Sequence, residues 1–359
     1  MLRTRAALGL RPLTAPVMVF LPLGILLGPS VANVLSFTAL GHLDVVISVG
    51  LATLGVFIGI AAGTQRGAVA RLMTASTVEA AVTILAVSGA TYALLRAWEI
   101  PSPVPYVLVS LALGLCASAS AAPSAGEGDD RARRVAARVA DLDDVFPIVL
   151  GGAVLAMVGN REASAWMGIA VSVALGAAIA LGGWLLFEEA EGAERDVFVL
   201  GTLALLGGSA AYLDSSPLLA GLTAGWLWAR APGQTELVVH THLTKVQHPL
   251  VVLLLITAGA SLQATLAGIW LFAPYVLFRT TGKLAGGWIA SRLAPEVAPS
   301  DLGAYLIPPG VIGIAFALNV LQVSPGAATP IVFAVSVGAI VSELVALMVT
   351  PGPSDPTPV

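Results

Sequence analysis

The run DLDDVFPIVLGGAVLAM, residues 141–157, decides the class of this protein, because it puts acidic residues at the start of a long apolar stretch. Apolar stretches of this kind recur along the whole chain of 359 residues. Hydrophobic residues make up 57% of the sequence, charged residues only 11%, and the mean hydropathy is +0.92. About a quarter of the residues of a typical soluble domain are charged. The composition therefore predicts an integral membrane protein.

The apolar stretches predict about twelve transmembrane helices in an all-α fold. A helix that crosses a bilayer core of about 30 Å needs roughly 20 apolar residues. Twelve stretches meet this requirement, although the eighth is short enough to leave eleven or thirteen open. Their approximate bounds are 13–30, 43–63, 70–95, 104–124, 137–159, 163–187, 195–213, 215–230, 246–263, 266–291, 301–323 and 327–350.

The basic residues support this count, because in short loops they favour the cytoplasmic side. With a cytoplasmic N-terminus, twelve helices put thirteen basic residues inside and only Arg96 and Arg161 outside. We therefore expect both termini in the cytoplasm, with residues 351–359 as a short tail. The first stretch could instead be a signal peptide, but it continues to Pro29 without a clear cleavage site.

Composition also excludes several function classes. The net charge of -4 offers no basic surface for nucleic acid. Cys116 is the only cysteine and cannot form an intramolecular disulfide. No Ser-His-Asp or His-Glu-x-x-His arrangement is present, so we do not expect an enzyme.

Two of the stretches are predicted to be interrupted helices. The fourth ends with Ser118, Ser120 and Pro123, and the eleventh carries Pro308, Pro309 and Gly310 in its middle. These two stretches are seven segments apart, so repeats related in this way have opposite orientations in the membrane. Interrupted helices at matching positions of inverted repeats indicate the binding site of a transporter. We read 13–159 as repeat one, 163–213 as connectors and 215–350 as repeat two; the alternative is two unrelated kinked helices.

Several charged residues lie at a similar predicted depth inside the bilayer. Asp143 and Asp144 lie about 9 Å into segment five, Lys283 about 13 Å into segment ten and Glu343 about 10 Å into segment twelve. A charge inside a bilayer costs several kcal/mol and normally serves a function. We therefore expect these residues to share one site beside the interrupted helices.

Three further expectations concern the geometry of this site. Adjacent residues of a helix point about 100° apart, so one acid of the pair is expected to bind while the other caps or pairs. Arg279 and Lys283 share a helix face and repel unless a carboxylate lies between helices. Glu79 in segment three is a weaker candidate, for which a contact at the membrane interface is equally compatible.

Crowded carboxylates suggest a chemistry. They titrate as a group in a low dielectric, and a hard monovalent cation such as sodium seeks the same oxygens. Protons and the cation therefore compete for one site, and competition combined with alternating access is antiport. The alternative is a buried ion pair that only locks helices together.

The sequence resembles the cation:proton antiporter superfamily in an ordered set of motifs over nearly the whole chain. The motifs include GILLGPS at 24–30, LLAGLTAGWLWA at 218–229 and GKLAGG at 282–287, together with the acid pair Asp143-Asp144 and the closing VTPG. The resemblance implies two inverted five-helix repeats with crossed broken helices, a homodimer and elevator-like exchange of a monovalent cation for protons without an organic cofactor. It also implies a bacterial inner membrane.

In terms of this family, Asp144 would be the main carrier of the cation and the proton. The cation would bind transiently at Asp144 and Asp143, and Asp143 would form an ion pair with Lys283. Ser118 and Ser120 would support the site. Many members read Pro-Arg-Gly-Glu in the eleventh segment, whereas this chain reads PPGV at 308–311. We hypothesise that Arg279 and Glu343 partly replace the missing charges. Two other functions remain open at this stage: a sodium-coupled symporter or organic-anion carrier on the same fold, and a non-transporting membrane protein.

Overall fold

A computed structural model describes residues 15–64, 69–117, 131–158, 165–233, 235–296 and 298–349. The elements assigned within these ranges are α-helices. In chain order they are α1 Pro16–Leu27, α2 Phe37–His42, α3 Asp44–Thr64, α4 Val69–Ala97, α5 Tyr106–Leu115, α6 Arg131–Asp143, α7 Val145–Val158, α8 Ala165–Glu189, α9 Gly192–Tyr212, α10 Pro217–Trp228, α11 Thr235–Ala260, α12 Leu266–Leu293, α13 Leu302–Tyr305, α14 Val311–Val323 and α15 Pro325–Val349.

The helices have the length, composition and surface of a membrane protein. In the described part of the chain, five helices, α3, α4, α8, α11 and α15, are long and apolar enough to cross a bilayer. Large apolar side chains such as Trp166, Tyr212 and Met348 are at least 79% exposed. Together with the five long apolar helices, these exposed apolar side chains are those of an all-α membrane protein.

Sequence signals set several helix starts. Ser216 precedes α10, and its hydroxyl accepts a hydrogen bond from the backbone N–H of Leu219 at 3.3 Å. Pro217 follows as the first helical residue, where the missing N–H of proline costs nothing. The hydroxyl of Thr265 caps α12 in the same way, accepting from the N–H of Gly268 at 3.1 Å.

Glycines bring α3 and α10 into direct backbone contact. A Cβ atom added to Gly55 or Gly59 of α3 would lie 2.3 Å from a carbonyl oxygen of α10. The contact is reciprocal, because a Cβ on Gly221 or Gly225 would lie 2.0 or 2.2 Å from a carbonyl oxygen of α3. Small residues four apart allow two membrane helices to pack this closely.

The helices α1 and α11 form a second pair of the same kind. A Cβ on Gly24 or Gly28 of α1 would lie 2.2 or 2.8 Å from a carbonyl oxygen of α11. Gly259 of α11 meets α1 in return, since its added Cβ would lie 2.2 Å from the carbonyl oxygen of Leu21.

Helix α12 lies between several other helices and contacts α4, α13 and α15. It packs along α4 on one side and α15 on another, and the short helix α13 lies against it. Gly287 and Gly303 permit the contact with α13, since a Cβ on Gly287 would lie 2.3 Å from the backbone nitrogen of Gly303. The buried hydrophobic core extends from α1, α3 and α4 through α12 to α14 and α15.

Two predicted segments differ in detail from the structure. Segment five is not one helix, because Asp144 separates α6 from α7. Pro147 explains the break: it has no N–H to donate to the carbonyl group of Asp143, four residues earlier. Segment nine begins at Thr235 rather than 246, so α11 is longer than the apolar pattern predicted.

The interruption of segment eleven occurs at the predicted residues. The chain forms α13, continues without helix through 306–310 and re-enters a helix at Val311. In segment four, α5 ends at Leu115, and the predicted break at Ser118, Ser120 and Pro123 lies outside the described residues.

Candidate functional site

Three charged side chains from three helices meet in the interior. The ammonium group of Lys283 on α12 donates to Asp143 Oδ2 at 2.6 Å and to Glu79 Oε2 at 3.0 Å. Asp143 is the last residue of α6, and Glu79 lies near the middle of α4. All three residues are at most 1% exposed. The contact predicted between Asp143 and Lys283 is present, and Glu79 is a second acceptor for the same ammonium group.

Glycines of α12 explain how Glu79 comes so close. A Cβ on Gly282 would lie 3.0 Å from Cα of Thr83, and one on Gly286 would lie 2.9 Å from the carbonyl oxygen of Glu79. Thr83 also donates its hydroxyl to Glu79 Oε1 at 3.0 Å. The carboxylate of Glu79 is therefore fixed on both oxygens, by Thr83 on its own helix and by Lys283 on the neighbouring helix.

Asp144 lies at the junction of α6 and α7, beside this cluster in the chain. It is 8% exposed, and its backbone carbonyl accepts from the N–H of Ile148 at the start of α7. Both acids of the pair are buried.

Arg279 lies one turn from Lys283 on α12 and is 1% exposed. Its guanidinium donates to the carbonyl oxygens of Ile307 at 2.6 Å and Pro308 at 3.1 Å. Both carbonyls belong to the interruption between α13 and α14. The ammonium group of Lys283 therefore bonds two carboxylates, whereas the guanidinium of Arg279 bonds two backbone carbonyls and lies close enough to Glu343 for the two charges to interact.

The other predicted site residues lie further out or outside the described ranges. Glu343 on α15 is partly exposed and close enough to Arg279 for the two charges to interact. Pro308, Pro309 and Gly310 are buried in the interruption itself. Ser118, Ser120 and Pro123 fall within 118–130, which the structure does not describe.

Sequence reasoning underestimated Glu79 and missed the break at Asp144. The sequence left Glu79 open between the site and the membrane interface, whereas in the structure it is completely buried and hydrogen-bonded to Lys283. The signal for the contact was the pair Gly282 and Gly286, which opens one face of α12 to a neighbour. The signal for the break was Pro147, four residues after Asp143.

The arrangement offers anionic oxygens in a buried setting. Lys283 compensates one of the two carboxylates that it contacts, and Asp144 adds a further acid. Hard monovalent cations and protons both bind such oxygens. Within the described ranges, no group of three His, Cys, Asp or Glu residues is arranged to hold a metal ion.

No model of a protein family matches the sequence. A search of curated proteins also finds no match.

Proposed function

We propose that this protein is a secondary active transporter that exchanges a monovalent cation, sodium or potassium, for protons by alternating access. The observation that carries the proposal is the buried cluster of Lys283, Asp143 and Glu79, next to Asp144. Burying four ionisable groups in a membrane protein is costly, so they are expected to serve transport. The carboxylates of this cluster and of Asp144 are the oxygens to which the cation and the proton are proposed to bind.

Asp144 is the proposed carrier, the role that the resemblance to cation:proton antiporters gives it, whereas Asp143 is hydrogen-bonded to Lys283. Asp144 also lies at a helix junction, where a small change of backbone angle would alter its exposure. Lys283 and Glu79 then hold Asp143 in place beside the carrier. This division of roles agrees with the one implied by the resemblance to cation:proton antiporters and adds Glu79 to it.

We further propose twelve membrane spans arranged as two inverted repeats. If segments one to five correspond to segments eight to twelve, the pair α3 and α10 corresponds to the pair α11 and α1. Both pairs are observed, and both are packed through glycines that touch the backbone of the partner. Segments three and ten, which are α4 and α12, correspond to each other, so the repeat maps their contact onto itself. The repeat also maps the contact of α12 with α15 onto the contact of α4 with α6, and both of these contacts are observed. This exchange of contacts supports the repeat, and with it a transporter.

The test is ion exchange in everted membrane vesicles containing a pH-sensitive dye. Addition of sodium or potassium is expected to collapse an imposed proton gradient in vesicles with the native protein. Asp144→Asn removes the proposed carrier and is expected to abolish this response. Glu236→Gln is the matched control, because it removes an exposed carboxylate of α11.

Three results would contradict the proposal. A native response that survives in Asp144→Asn would remove Asp144 from the carrier role. Cation entry accompanied by an organic anion, without proton movement, would indicate a symporter or organic-anion carrier. No ion movement under any gradient would indicate a non-transporting membrane protein.

A further inference from the structure

Helix α12 carries three buried polar side chains at intervals of four residues, and each binds a different segment. Tyr275 donates its hydroxyl to the carbonyl oxygen of Cys116, just after α5, at 3.0 Å. Arg279 bonds the interruption before α14, and Lys283 bonds the acids. One face of α12 therefore contacts the end of α5, the interruption between α13 and α14, and the acid cluster.

The interruption between α13 and α14 needs hydrogen-bond donors from outside itself. Residues 306–310 are buried and do not form a helix, and Pro308 and Pro309 have no backbone N–H. Buried backbone carbonyls that lack a helical partner cost several kcal/mol in a membrane protein unless another group satisfies them. The guanidinium of Arg279 supplies two such donors at once.

Carbonyl oxygens that converge at an unwound helix are also the ligands with which transporters hold monovalent cations. In this protein the positive group at these oxygens is the guanidinium of Arg279, a side chain, and not a bound ion. The glycines Gly287 and Gly303 hold α13 against α12, which fixes the distance that the side chain has to span. The positive charge therefore reaches the interruption from a neighbouring helix and not from segment eleven itself.

We propose that Arg279 is a tethered cation that occupies a carbonyl-lined cation site at the α13–α14 interruption and thereby positions this interruption against α12, the helix that also carries Lys283. The ligand class of this site is a guanidinium cation, which donates hydrogen bonds to the carbonyl oxygens of Ile307 and Pro308. Arg279 is a positioning residue, because it acts on the backbone of the interruption and not on the exchanged ion. The effect on transport rests on the proposed function, whereas occupancy of the site does not.

The first test is chemical rescue of stability. Arg279→Ala removes the guanidinium and leaves the carbonyl oxygens of Ile307 and Pro308 facing a cavity. We expect its melting temperature in detergent to fall, and to rise again in a saturable manner with millimolar guanidinium chloride. Guanidinium chloride is expected not to raise the melting temperature of the native protein or of Arg230→Ala, a control that replaces an exposed arginine. Urea has a similar shape without the charge and is expected to give no rescue.

These measurements test whether a guanidinium group occupies the carbonyl-lined site, and they do so whether or not the protein transports ions. If guanidinium stabilises Arg279→Ala no more than it stabilises the native protein, the tethered-cation assignment is wrong. If Arg279→Ala does not fold, Arg279→Lys and Arg279→Met replace it. Lysine keeps the charge and methionine does not, so Arg279→Lys is expected to melt at a higher temperature. Equal melting temperatures would also overturn the assignment.

The second readout is transport in vesicles. We expect Arg279→Ala to lower the exchange rate at least about tenfold, since a hydrogen bond to a charged group is worth about that factor. Guanidinium is expected to restore exchange in Arg279→Ala but not in Asp144→Asn. Rescue of stability without any native exchange would contradict the proposed function and leave the tethered cation supported. Exchange that guanidinium does not restore would show that Arg279 does not position the site.

Discussion

Replacement of Lys283 by methionine gives the most direct test of the buried cluster. Methionine keeps the unbranched shape of the side chain but removes the ammonium group, so Glu79 and Asp143 face each other without a cation. Removing one partner of a buried ion pair costs about 3–5 kcal/mol. With about 2.1 cal/mol/K of unfolding entropy per residue over 359 residues, this corresponds to a fall of about 4–7 °C in melting temperature.

A double variant that also removes the carboxylate of Glu79 is expected to regain part of the stability lost in Lys283→Met. Glu79→Gln alone removes one charged hydrogen bond and is expected to cost about 1.5–3 kcal/mol. In the double variant Glu79→Gln/Lys283→Met, Asp143 keeps its carboxylate but Glu79 does not, so the repulsion between these two buried carboxylates disappears. We therefore expect the double variant to be more stable than Lys283→Met alone.

Thermal unfolding of the purified protein, followed through the fluorescence of its seven tryptophans, measures these differences. Lys245→Met is the control, because Lys245 is exposed on α11 and its loss is expected to change stability by less than about 0.5 kcal/mol. A double variant less stable than Lys283→Met would refute the reasoning, since the two losses would then accumulate instead of cancelling.

Two further predictions concern helix packing. Gly221→Leu inserts a side chain where a Cβ would already lie 2.0 Å from a carbonyl oxygen of α3, so we expect loss of the folded protein in size-exclusion chromatography; Gly208→Leu, which has open space, is expected to elute normally. Ser216→Ala removes the N-cap of α10 and the oxygen that accepts from Asn319 Nδ2, so we expect a loss of about 1–2 kcal/mol in thermal unfolding. Ser36→Ala, which removes the cap of the more exposed helix α2, is expected to cost less, and an equal loss would contradict the role of the buried bond.

Parts of the site were accessible from the sequence because they depend on local rules. Pro308 and Pro309 predicted an interruption, since proline removes donors wherever it occurs. The acids and Lys283 were identified because a charge in an apolar stretch is costly whatever surrounds it. The break at Asp144 was not predicted, although its signal, Pro147, is equally local.

Other parts depend on which helices meet, and here the sequence was not sufficient. Glu79 and Lys283 are 204 positions apart, and either could have faced the membrane interface. The sequence suggested that Arg279 and Glu343 together partly replace the missing charges, but it did not indicate which backbone groups Arg279 contacts. In the structure it bonds two backbone carbonyls, which a sequence pattern does not distinguish as acceptors.

The sequence by itself determined that this is an α-helical membrane protein with ionisable groups in its interior. Composition and helix-breaking residues act within one segment, so their effects are independent of the partner. The tertiary structure decided that Lys283 is shared by Asp143 and Glu79 and that Arg279 reaches the interruption before α14. These contacts depend on the register of α4, α12 and α13, which is fixed by glycines that allow backbones to touch. Such a register is a property of pairs of helices, and a single segment does not encode it.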